Sequence, residues 1–259
     1  IYGLILNALT TMSADSIMFT ENIATINWST YSSKGSIQKT YTEKEPGVSS
    51  YCCIQYNTDS TYSKENFLVF QKKKIINNKN ASIAYSLDAD KTHIVRNTKT
   101  NVSVLFPTEK DSQLAFKIDA PFEPTQTRES IYENEATKVA LSFILDLFKT
   151  SLIKIKEYGL YDVDFIECLP FEEHYVDNFF YDAFYVATIA FFKNCEAIPT
   201  FNDEIVEKDS CMLARGENIL KLFNSDDLNR IFNKKHWVAD GITRDVKSNI
   251  YRFFNLTLG

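Results

Sequence analysis

The hydrophobic pattern of this chain changes period twice. Leu4, Leu6, Leu9, Ile17 and Phe19 are spaced as in a helix, which predicts a helical lead-in over 1–22. From Ile23 onward, apolar and polar residues alternate. IATINW, SIQKTYTE, SSYCCIQYN, NFLVFQKKKI, SIAYSL, THIVRN, NVSVLF and LAFKIDAPF are short and rich in β-branched and aromatic residues, with turn residues between them. Such a run predicts a sizeable, mostly antiparallel sheet. KKKIINNKN reads as a solvated hairpin tip, because asparagine tolerates left-handed backbone; a basic groove is the functional alternative.

After Arg128 the period becomes helical. Ser130 and Glu133 have capping-box spacing, and a long helix is predicted over 132–157, closed by Gly159. Val139, Phe143, Leu147, Leu152 and Ile155 form its expected apolar stripe. LYDVDFIECLP alternates and predicts a strand. VDNFFYDAFYVATIAFF is apolar nearly all round, which predicts a buried helix centred on Phe180, Phe184, Ala187 and Phe191; it is too short to span a membrane. EIVEKDSCMLA is strand-like, and GENILKLF, SDDLNRIF and DVKSNIYRFFNLTL read as helices. The class is therefore α+β: a lead-in over 1–22, a sheet-and-helix domain over 23–158 and a helix-rich second lobe over 159–259.

Composition narrows the chemistry. At 259 residues and 44% hydrophobic content the chain can bury a substantial core, and a net charge of -6 argues against a nucleic-acid surface. Seven scattered glycines leave no phosphate-cradling loop. Cys52, Cys53, Cys168, Cys195 and Cys211 have neither CxxC spacing nor an even count, which points to a reduced, cytoplasmic setting without a zinc site. The start at Ile1, inside an apolar run, reads as a piece of a longer protein.

Charge is uneven. Residues 159–209 hold twelve acidic side chains against Lys193 and Lys208, whereas 229–252 hold six basic against two acidic. Complementary packing faces within the fold explain this most simply, and a docking surface is the alternative. His93, His174 and His236 stand apart from one another. Asp162, Asp164 and Glu167 could hold magnesium, but on a strand the first two share a face and the third opposes them, so solvated strand ends are the simpler reading. No metal ligand set and no autonomous catalytic constellation is predicted.

Several phrases carry a family likeness: FTENIATINW, VSVLFPTEKDSQLAFKIDAPFEPTQTRESI, KEYGLYDVDFIECLP, IPTF followed by MLARGENILKLF, and HWVADGIT. In this order, over roughly residues 15–245, they resemble the region after the nucleotide-binding domain of sacsin-like proteins. Those are relatives of the ninety-kilodalton heat-shock chaperones, in the superfamily of gyrase, histidine kinases and MutL. The superfamily's N-box, DxGxG turn and glycine-rich lid are absent. The resemblance therefore implies a middle, transducer segment with a ribosomal-protein-S5-like sheet and packed helices, binding no cofactor of its own. ATP and magnesium would belong to an upstream domain of the full-length protein.

The same likeness implies coupling of nucleotide state to a homodimer and to a protein client, with no nucleic-acid or membrane partner. It also implies a Lys or Arg supplied to the γ-phosphate, and Arg128, between the APF strand and the long helix, is the residue so placed. Its planar fork suits phosphate oxygens. The alternative for Arg128 is pairing with Glu129, Glu133 or a turn carbonyl. The alternative for the chain is a protein-interaction scaffold that uses the acidic, aromatic region 159–209.

Overall fold

The computed structural model describes every residue except 1, 32, 58–61, 77, 99, 172–177, 215–218, 220, 221, 243–246 and 259. The chain forms two compact units, Ile1–Ser151 and Leu152–Gly259. The boundary falls inside the long helix, a few residues before the break expected at 158.

The first unit is built on a nine-stranded sheet. Its strands are β1 (Thr25–Ser29), β2 (Lys34–Glu45), β3 (Val48–Asn57), β4 (Tyr62–Ile76), β5 (Lys79–Leu87), β6 (Ile94–Val95), β7 (Asn101–Val104), β8 (Phe106–Asp111) and β9 (Lys117–Asp119). They lie in the order β1-β2-β3-β4-β5-β9-β7-β8, with β6 also on β5; only β7 and β9 run parallel. Both faces of the central sheet are covered, which is more than the alternation in the sequence requires. On β4, Leu68 and Phe70 alternate with Phe67 and Val69, and all four are buried.

One face packs against helix α2 (Glu135–Glu157). Phe116 stacks on Phe148 with ring centres 5.5 Å apart, Tyr85 lies 5.1 Å from Phe116, and the Tyr85 and Ser151 hydroxyls are 2.7 Å apart. The opposite face is covered by the segment after helix α1 (Tyr2–Thr10). Ala14, Met18 and Phe19 close over Cys53, Phe67, Val69 and Ala84. Lys39, buried on β2, pins this segment by donating from its ammonium to the carbonyls of Ile17, Met18 and Thr20.

Helix α2 differs from expectation in two respects. Its cap is Asn134, whose side chain accepts from Thr137 N at 3.0 Å, so Ser130 and Glu133 lie before the helix. Its buried stripe is Ala140, Ile144, Leu147, Phe148, Ser151, Leu152 and Ile155, while Val139 is 48% exposed. Of the expected stripe, Leu147, Leu152 and Ile155 are buried and Phe143 is half-buried, while the small residues Ala140 and Ser151 complete the inside face. The C-terminus is as expected. Gly159 adopts left-handed backbone, and Gly159 and Leu160 donate to the carbonyls of Lys156 and Ile155, a Schellman ending.

The second unit holds α3 (Val163–Glu167), α4 (Phe179–Asn194), α5 (Ser225–Phe232) and α6 (Ser248–Leu258). Two small sheets accompany them: β10 (Ile198–Pro199) with β11 (Ile205–Val206), and β12 (Cys211–Met212) with β13 (His236–Trp237). Phe180, Phe184, Ala187 and Phe191 are buried as expected. The Phe192 ring lies 5.5 Å from Phe253 and 5.7 Å from Phe254. DVDFIE is helical, contrary to the expected strand, because the Asp162 carboxylate caps the helix by accepting from Phe165 N at 2.7 Å. Most of GENILKLF lies outside the described residues.

Candidate functional site

Arg128 sits on a tight loop between β9 and α2. Pro124 bridges Ile131, Tyr132 N donates to Glu123 O, and Thr125 N donates to Ser130 O. This pairing turns the chain back on itself, and the reversal leaves Arg128 in left-handed backbone with φ 60. A non-glycine residue there is unusual and locally strained. The main chain fixes it on both sides: Arg128 N donates to Thr125 O at 2.9 Å, and Arg128 O accepts from Glu109 N at 2.8 Å.

The guanidinium reaches the β7–β8 hairpin. Nη2 donates to Phe106 O at 2.6 Å and to Val104 O at 3.4 Å. No described carboxylate lies within ion-pair distance, so neither Glu129 nor Glu133 neutralises it. Arg128 borders a cleft of about 280 Å³ with Ser13, Asp15, Asn101, Thr108 and Glu109. Asp15 in turn forms an ion pair at 2.6 Å with Lys117, which is buried on β9. Glu65 belongs to the same charge group. Burial pushes its carboxyl up, Lys117 draws it down, and Asp15 pushes it up.

Several of the other residues singled out by sequence already have partners. Thr92 and His93 donate from their amides to Asp88 Oδ1, holding the Asp88 carboxylate below its usual range. His174 lies outside the described residues. His236 Nδ1 is 3.1 Å from a Glu204 carboxylate oxygen. Asp164 and Glu167 both accept from the Lys247 ammonium, at 2.7 and 2.6 Å, which agrees with acidic and basic segments pairing within the fold. Burial holds the Cys53 and Cys211 thiols up at about 12, which keeps them unreactive.

The KKKIINNKN tip borders a polar cleft of about 380 Å³. Lys73, Lys74, Asn78 and Asn80 face it, but so do Glu21 and Glu43, so it is not a uniformly basic groove. Within 159–209 the aromatic residues Phe171, Phe180, Phe184, Phe191 and Phe192 are buried.

Sequence reasoning missed Lys117 and Asp119, the two charged residues of β9, both buried. The available signal was a pair of charges inside the apolar run LAFKIDAPF. Compared with models of known families, with curated proteins and with solved structures, the chain matches none. Among the described residues no helix is long and apolar enough to cross a membrane.

Proposed function

We propose that this chain is the transducer segment of a sacsin-like, chaperone-type ATPase of the cytoplasm. On this reading it completes the ATP site of an upstream nucleotide-binding domain and couples nucleotide state to dimer and client. One observation supports it above the others: Arg128 is held by main-chain contacts in a strained backbone conformation at a cleft mouth, with no carboxylate paired to it. A cation held at this place can meet charge developing on a transferred phosphoryl group.

The test uses the full-length protein with its ATP-binding domain. Arg128→Ala is expected to lower ATP turnover on the order of a thousandfold while ATP affinity changes little, because the contact matters chiefly in the transition state. Arg128→Lys should recover part of the rate, keeping the charge but not the fork. Unchanged turnover in a folded Arg128→Ala protein would end the assignment. The chain by itself is expected to show no micromolar ATP binding in calorimetry, since it has no phosphate loop.

A further inference from the structure

A third cleft opens beside the tip of the β7–β8 hairpin, under the Phe19–Ile23 segment. It encloses about 370 Å³, a size suited to a small ligand. Phe19, Ile23, Leu105, Phe106, Ala120 and Pro121 give it largely apolar walls. A carboxyl group also lines it: that of Asp119, at the end of β9, only 5% exposed.

Asp119 engages one of its two oxygens. Oδ1 accepts from Leu105 N at 2.6 Å, and no described group donates to Oδ2. The Leu105 N–H is delivered by left-handed backbone, φ 64, an expensive conformation for a bulky side chain. Thus the fold spends strain to orient this carboxyl and still leaves one oxygen open to the cleft.

The charged groups facing Asp119 are Glu21, on the covering segment, and Lys79, on β5. Burial raises the Asp119 carboxyl to about 8; Glu21 adds to the rise, and Lys79 opposes it. Two carboxyls against one ammonium make the cleft net acidic once Asp119 ionises. An apolar cleft with a carboxyl group on its floor fits a ligand with an apolar body and a cationic, hydrogen-bond-donating end.

We propose that this cleft binds a small organic amine, its body against Phe19, Leu105, Phe106 and Pro121 and its ammonium on Asp119 Oδ2. Where Asp119 starts protonated, binding releases that proton to solvent and leaves a carboxylate–ammonium pair. Amine binding here does not require that Arg128 contact a phosphate.

The test is calorimetry of the intact chain with 2-phenylethylamine and its neutral counterpart 2-phenylethanol, between pH 6 and 9. The amine is expected to bind more tightly than the alcohol. Its affinity should rise about tenfold per pH unit up to about pH 8 and then level off, following Asp119 ionisation. Asp119→Asn keeps the acceptor for Leu105 N; it should remove both the pH dependence and the preference for the amine. Glu21→Gln, at an exposed position, should weaken the amine severalfold, and it carries the test should Asp119→Asn fail to fold. Equal binding of the two probes, a flat pH profile, no binding of either, or amine binding unaltered by both substitutions overturns the proposal.

Discussion

Asp119 exchanges a proton in an unusual range, and the sign of its effect on stability follows directly. In the unfolded chain such a carboxyl titrates near 3.9, whereas in the folded protein burial holds it at about 8. Between these values the native state binds the extra proton, so this group's stabilising contribution is complete below about pH 4 and is lost as pH rises toward 8. Melting curves of wild type and Asp119→Asn from pH 5 to 9 should therefore diverge. The variant should gain relative stability with rising pH, on the order of a few kcal/mol, and level off above about 8. Lys39 is the opposite kind of buried charge, since it serves the main chain. Replacing it with Met removes the donor to three carbonyls of the covering segment, with an expected loss of about 2 kcal/mol in denaturant unfolding. Arg128 was legible in the sequence because it stands alone at a strand-to-helix junction. Lys117 and Asp119, on one face of β9, were not. That face is ordinarily solvated in an antiparallel sheet, and nothing in LAFKIDAPF announces that residues 13–22 lie over it.

Strands were the most legible elements. Their alternating runs are long, and the hairpin from β4 to β5 is the one its asparagines suggest. Short helices were less so. DVDFIE carries a strand-like alternation, but a single Asp at the N-cap accepts from the Phe165 amide, one of the free amides of the first turn, and tips five residues into a helix. The ends of α2 show how much rests on caps. Asn134→Ala should cost about 1 kcal/mol through the lost side-chain acceptor, and Gly159→Ala about 1 kcal/mol through the left-handed backbone that alanine resists. Phe148→Ala should cost about 3–5 kcal/mol, because its ring stacks on Phe116 and is wholly buried. Thermal and urea unfolding of the three variants rank these contributions. A Phe148→Ala effect no larger than the cap effects would contradict the packing described.

The whole chain divides at Ser151–Leu152, and composition alone hid the place because α2 runs on without a break in its pattern. The uneven charge of the C-terminal half was visible in the sequence, and part of its purpose is clear from Lys247, which satisfies Asp164 and Glu167 together. Lys247→Ala should leave two neighbouring carboxylates repelling each other. A loss of about 1 kcal/mol is expected, reduced by salt, as such partly exposed pairs are screened.

The tip of the β7–β8 hairpin is gripped from two directions. Asp119 takes the amide of Leu105, while Arg128 holds the carbonyls on either side of it, at Val104 and Phe106. Three residues of main chain are thus common to the phosphate-contact candidate and to the amine cleft. An anion that drew the guanidinium away would loosen the turn that orients Asp119, and a ligand on Asp119 would alter what Arg128 can reach. Linkage requires such influence to be mutual and equal in free energy. Arg128→Ala is accordingly expected to shift the affinity of the chain for 2-phenylethylamine severalfold, with no ATP-binding domain in the experiment. An unchanged affinity would mean that the hairpin tip is a rigid wall between two neighbours rather than a relay.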